Sequence, residues 1–279
     1  MRIDSHHHFW RYSPEAYAWI SPEMRVLRRD FGPADLKALL DEHGIDGAIS
    51  VQARADEADN DFLLAHAADH AWILGVVGWL DLAAPDAAEK VARFADRPKA
   101  VGLREVLQGM DERDYCLRED FNRGLAALHD FGLVYDLLIH ADQLPAAIAC
   151  VDRHPGQAFV LDHIAKPTIG GPGGVDPDWA RSIRELARRE NVVCKLSGMV
   201  TEVIPSLADW DPDLLGPFFD VVLEAFGPQR LLYGSDWPAC LLRGEYADWF
   251  LCVEHWIGGL SPEERAAILG GNAQRAYLA

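Results

Sequence analysis

The sequence lacks any Cys-x-x-Cys pair, and its five cysteines, Cys116, Cys150, Cys194, Cys240 and Cys252, are odd in number and widely spaced. That excludes a disulfide framework and a cysteine-ligated zinc site, and makes a reducing cytoplasm the expected setting. No stretch approaches the roughly 18 consecutive apolar residues of a membrane helix. The opening MRIDSHHHFW has neither a basic nor an apolar leader region, so no signal peptide is expected. Basic residues are in short supply: 26 Lys and Arg against 44 Asp and Glu leave a net charge of -18. A chain this acidic repels polyanions, so no nucleic acid partner is expected. The phosphate-binding patterns GxxxxGK[ST] and GxGxxG are also missing, so the glycine-rich KPTIGGPGG at 166–174 is read as a loop and not a phosphate cradle.

What is present is an average soluble composition, 49% hydrophobic and 25% charged over 279 residues. No shift in composition marks an internal boundary, and residues 1–279 are expected to form one domain with a sizeable core. Short β-branched runs alternate with helical patterns, the rhythm of a parallel sheet covered by helices. Strands are expected near 2–8, 47–52, 73–80, 99–104, 134–140, 157–163, 192–198 and 231–236. In GPADLKALLDEHG, Leu36, Leu39 and Leu40 share one face and Gly44 supplies the stop; in SPEERAAILGG, Ser261, Pro262 and Glu264 form a capping box. Further helices are expected near 57–70, 86–95, 119–131, 143–154, 177–190, 212–226 and 246–258. A helix after every one of eight strands predicts an α/β fold, a single (β/α)8 TIM barrel.

In such barrels the chemistry sits at the carboxyl ends of the strands. His6 and His8, two residues apart on the first strand, share a side and point into the mouth, while His7 points away. The later strands end in Arg104 and Glu105, Asp136 and His140, Asp162 and His163, Lys195 and Ser197, and Asp236. Each has a plainer reading: His140 as a hydrogen-bonded structural histidine, Lys195 as a lysine snorkelling from the core edge, Glu105 and Asp136 as groups facing the helices. The aromatic residues of the 9–32 connection, Phe9, Trp10, Tyr12, Tyr17 and Trp19, either wall the mouth or cover the barrel end.

The strings IDSHHHFW, VLDHIAKP, CKLSGM and LLYGSDWP, with the ending GGNAQRAYLA, resemble the amidohydrolase superfamily, in its amidohydrolase 2 branch of sugar lactonases. The resemblance implies that His6 and His8 match the strand-one histidine pair, His163 the strand-six histidine, and Asp236 the strand-eight proton-transfer aspartate. It implies a metal set of His6, His8 and Asp236, with His140, the strand-five candidate, or His163 as a further ligand. The bridging lysine of binuclear members is absent from strand four, where VGLREVLQ offers Arg104. One divalent cation, Zn2+ or Mn2+, is therefore implied, dispensable in some lactonases of the branch.

The implied reaction opens a neutral sugar lactone, such as L-fucono- or L-rhamnono-lactone, to the aldonic acid. Asp236 would activate water, and His163 and Arg104 would complete the catalytic group. Arg54, Lys166, Trp10 and Trp237 are expected to contact this small-molecule partner. The competing readings are a metal-dependent decarboxylase or amide hydrolase on the same barrel, and a catalytically silent binding barrel.

Overall fold

Strand and helix segments sort by burial period. GAISV, VYDL and VVCKL are covered on both faces, as strands of an all-parallel sheet must be. The computed structural model describes residues 1–279. Its strands are β1 (Ile3–His7), β2 (Gly47–Val51), β3 (Ile73–Gly78), β4 (Ala100–Glu105), β5 (Val134–Leu137), β6 (Phe159–Leu161), β7 (Val192–Leu196) and β8 (Leu231–Tyr233). They form one parallel sheet in chain order. Closure runs through the residues after β8: Asp236 N–H donates to His6 O at 2.8 Å, and His8 N–H to Trp237 O at 2.7 Å. The fold is the expected (β/α)8 barrel.

The covering helices are α1 (Pro33–Glu42), α2 (Glu57–Asp69), α3 (Ala87–Ala95), α4 (Glu119–Asp130), α5 (Leu144–Arg153), α6 (Pro177–Leu186), α7 (Pro212–Phe226) and α8 (Tyr246–Trp256), one after each strand. The capping box at Ser261 opens α9 (Pro262–Ala266), with Ser261 N–H donating to Glu264 at 2.9 Å. The Gly-Gly pair does not end this segment as a helix stop would. It carries a π-helical turn, Ala267–Gly271, into α10 (Asn272–Tyr277), and Gly270 lies so close to the Met1 and Arg2 backbone that no side chain fits there.

Side-chain alternation splits the core in two. The larger cluster lies between sheet and helices. The smaller fills the barrel interior with Ile3, Ile49, Val51, Val134, Val160 and Leu232, and α10 closes the floor by adding Ala273 and Tyr277. Asn272 pins α10 there through bonds of 2.8 and 2.6 Å to Pro228 O and Leu231 O.

Several strands are shorter than their apolar runs. β6 stops at Leu161 because His163 turns to φ 53°, and β8 stops at Tyr233 ahead of Asp236 at φ 55°. In the 9–32 connection an antiparallel bridge between Trp10 and Phe31 folds the chain back, burying Trp10, Tyr17 and Phe31 in the outer core. No helix is long and apolar enough to cross a membrane.

Candidate active site

Four side chains meet at the carboxyl end of the barrel. His6 and His8 come from β1 and its end, with their Nε2 atoms 3.2 Å apart. Asp236 Oδ1 lies 3.8 Å from His6 Nε2, 3.5 Å from His8 Nε2 and 3.9 Å from His163 Nε2. The other nitrogen of each outer ring is anchored, His8 Nδ1 on Val51 O and His163 Nδ1 on Ser197 Oγ, both at 2.8 Å. Anchoring Nδ1 turns Nε2 inward.

The local chain is built for this convergence. His163, Ile164, Ala165 and Lys166 all take positive φ, between 49° and 62°. A left-handed run of residues with side chains costs about 1 kcal/mol or more at each position. The run aims His163 into the mouth directly after a short strand. Gly198, at φ 64°, sits under the His163 ring, where a Cβ would collide with Nδ1 and stand 3.1 Å from Asp236 Oδ2. Asp4 ties β1 to the turn after β8 by accepting from Ser235 N–H at 2.8 Å and His6 N–H at 3.2 Å.

A buried charged layer lies below. Arg104 donates from Nη1 to Asp162 Oδ2 at 3.0 Å and from Nη2 to Gln52 O at 2.6 Å, with Nη1 also 3.2 Å from His6 Nε2. Lys195, with no solvent exposure, pairs with Asp136 at 2.5 Å and Asp162 at 3.0 Å. Tyr277 from α10 donates to the other oxygen of Asp136 at 2.7 Å. Two cations and two carboxylates balance in this layer, so the net charge of the site above it is set by Asp236.

Burial pushes the His6 imidazole well below its ordinary range and His163 to about 4, against the pull of neighbouring carboxylates, so both rings are neutral near pH 7. Burial alone would raise the Asp236 carboxyl, but His163, the bond to His8 and His6 outweigh it and place it well below the usual carboxylate range. Asp136 is raised to about 6, by burial first, against Lys195 and with Asp162 adding to the rise.

Not every residue singled out in the sequence arrives here. His140 is half-buried, with Lys166 and Glu202 among the charges acting on it; one compact donor set is His6, His163 and Asp236. Trp10 and Trp237 lie inside the protein. Trp10 is fully buried with its indole N–H on Arg29 O at 2.9 Å, and Trp237 is 2% exposed with its ring edge-on to Phe31. Arg54 reaches Asp56 and Asp59 at the β2 rim, and Lys166 pairs with Glu202 at 3.0 Å. Trp19 is the tryptophan that remains open, 44% exposed, with its N–H held by Ala53 O at 3.0 Å.

The donor set fits a metal: His6, His163 and Asp236 each offer a ligand atom, all within 4.8 Å of one another, and His8 Nε2 lies 3.2 Å from His6 Nε2 and 3.5 Å from Asp236 Oδ1. Two nitrogens and a carboxylate without sulfur suit zinc or manganese.

The amidohydrolase family model matches residues 3–278. The chain belongs to the amidohydrolase family. Among relatives of this amidohydrolase, an L-fucono-1,5-lactonase of Burkholderia multivorans is 44% identical over 99% of this chain and 96% of its own. One of Burkholderia ambifaria is 36% identical over 99% and 95%. A crystal structure of a Burkholderia multivorans amidohydrolase with bound zinc superposes with a TM-score of 0.95 at 42% identity, covering 99% of both chains.

Two features of the amidohydrolase site go beyond the sequence reading, which named Lys195 at a strand end but not its partners and did not name Tyr277. Lys195 does not snorkel outward; it is locked between carboxylates from β5 and from the turn after β6. The signal for this was period two on β7, which puts Cys194 and Leu196 on one face and Lys195 on the barrel side. Tyr277 had no local signal, because its role depends on α10 closing the floor.

Proposed function

We propose that this chain is a lactonase that opens L-fucono-1,5-lactone or a closely related neutral aldonolactone to its aldonic acid. The observation that carries this reading is the convergence of His6, His163 and Asp236 in a buried donor set beside Arg104, on a barrel resembling named L-fucono-1,5-lactonases along its whole length.

In the reaction a water oxygen bonds to the lactone carbonyl carbon and the ring C–O bond breaks. Asp236, ionised and facing three imidazoles, accepts the proton from water and returns it to the departing ring oxygen. Arg104 supplies positive charge beside His6 for the oxygen that becomes negative. His6, His163 and Asp236 would hold a zinc ion, which when bound supplies Lewis-acid polarisation of the carbonyl. A lactone leaving group is easier to expel than an amine, so less barrier reduction is asked of the protein.

Arg54, Lys166 and the open face of Trp19 are assigned to the sugar hydroxyls and ring face. The free, buried cysteines support a cytoplasmic setting. The test is a pH-indicator assay on 1,4- and 1,5-aldonolactones, after chelation and again with Zn2+ or Mn2+. Acid release from one stereochemical group is expected. Silence on every lactone under all conditions would overturn the reading in favour of another amidohydrolase chemistry.

A further inference from the structure

Strand β1 changes phase along its length. Ile3 packs in the barrel interior, and strict alternation would send Ser5 and His7 inward after it. The pairing with β2 slips instead: Asp4 faces Ala48 and His7 faces Ser50, so β1 spends one residue more than β2 over this stretch. An extra residue of this kind is a β-bulge, which re-aims a side chain beside a site. Past it His6 and His8 turn to the mouth, while His7 bonds Ser50 Oγ at 3.0 Å, on the side of β2 away from the interior residues Ile49 and Val51.

One carboxylate sits on that bulge. Asp4 has no solvent exposure, and its Oδ1 accepts from His6 N–H at 3.2 Å and from Ser235 N–H at 2.8 Å. Ser235 directly precedes Asp236, so a single oxygen joins the backbone of a donor-set histidine to the backbone that carries the aspartate facing it. The other oxygen, Oδ2, accepts from the Tyr246 hydroxyl of α8 at 3.4 Å.

Beyond Tyr233 the turn bearing Asp236 has left the strand, and its amides need other partners. Ser235 N–H takes Asp4, Asp236 N–H takes His6 O at 2.8 Å, and Trp237 N–H takes Ser235 Oγ at 3.0 Å. The seam has no slack: a Cβ on Gly234 would stand 2.8 Å from His6 Cβ. A shift of the link between Asp4 and Ser235 therefore moves Asp236 against the histidines.

We propose that Asp4 is a positioning residue of the reaction: by holding the β1 bulge and the turn after β8 on one oxygen it fixes His6 and Asp236 relative to each other, with Tyr246 orienting the carboxylate. It acts through the two backbones. This rests on the reading of His6 and Asp236 as the centre of a lactonase.

The experiment compares wild type with Asp4→Ala, Asp4→Asn, Tyr246→Phe and Ser5→Ala. Ser5 bonds the same seam, donating to Tyr233 O at 2.6 Å, but holds neither amide that Asp4 holds, so it is the structural reference. Each folded variant is read by melting temperature, by kcat and KM on the lactone, and by affinity for Zn2+ alone in competition with a chromophoric chelator.

Asp4→Ala is expected to lower kcat and weaken Zn2+ binding about tenfold or more each, with KM close to wild type. Asp4→Asn keeps an oxygen for both amides and should restore most of both quantities. Tyr246→Phe should move them as Asp4→Ala does, by less, and it decides the matter if Asp4→Ala does not fold. Ser5→Ala should lower the melting temperature and leave kcat and Zn2+ affinity close to wild type. Wild-type kcat and Zn2+ affinity in the deciding variant would overturn the proposal, as would an Asp4→Asn no better than Asp4→Ala or a Ser5→Ala that loses as much. If wild type turns over no lactone but Zn2+ affinity falls in Asp4→Ala and returns in Asp4→Asn, the lactonase reading fails and the positioning role stands. If turnover is present and neither quantity separates Asp4→Ala from Ser5→Ala, the positioning role alone fails.

Discussion

Gly198 and His163 pack so closely that the glycine cannot acquire a side chain without moving the ring, since a Cβ there would overlap His163 Nδ1. The backbone at Gly198 also has φ 64°, a conformation that favours glycine. Position 198 therefore sets the depth of the His163 ring, and with it the gap to Asp236.

Gly198→Ala is expected to cost about 1–3 kcal/mol of stability from strain and overpacking, and to reduce turnover by more than that loss explains. Thermal unfolding and kinetics on the same sample check it. Full activity per folded molecule would show that His163 tolerates displacement.

Asp236→Asn preserves size and removes the charge that takes the water proton. Turnover should fall on the order of a thousandfold while circular dichroism and melting stay close to wild type. A variant retaining near-native kcat would exclude Asp236 as the base.

The barrel was legible because its signals are local and periodic: β-branched runs at β2 and β3, caps at Ser261 and Gly44, a helix after each strand. The histidine pair and Asp236 were legible because each stands at the end of such a run. His140 falls outside the strand expected to carry it, because β5 ends at Leu137 and the residues after it continue as loop. The tryptophans of the 9–32 connection look alike in sequence. Nothing local distinguishes Trp10, whose N–H finds backbone carbonyls inside the core, from Trp19, whose indole stays open nine residues later. The Lys195 layer needs three strands and α10 brought together, which no window of sequence displays.

That contrast yields a paired prediction. Trp10→Ala should destabilise the fold by about 3–5 kcal/mol and leave KM of the surviving folded fraction near wild type. Trp19→Ala should leave the melting temperature nearly unchanged and raise KM several-fold, with kcat close to wild type. Measuring both quantities for both variants checks the assignment. A KM effect confined to Trp10→Ala would reverse the roles given to the two rings.

Metal binding gives the remaining test of which residues form the donor set. An ion that binds only the folded protein stabilises it by about 2.7 kcal/mol at a hundredfold excess over Kd, which for a chain of this size corresponds to roughly 5 °C or more in melting temperature. Zn2+ added to chelator-stripped protein is expected to raise the melting temperature by this order. His163→Ala and Asp236→Ala should each abolish most of the rise, since they remove a ligand atom from the compact set. His140→Ala should leave the rise intact, because that side chain is not part of the compact set. Loss of the zinc effect in His140→Ala, with its retention in His163→Ala, would return the strand-five histidine to the metal and move His163 to a purely supporting place beside Ser197.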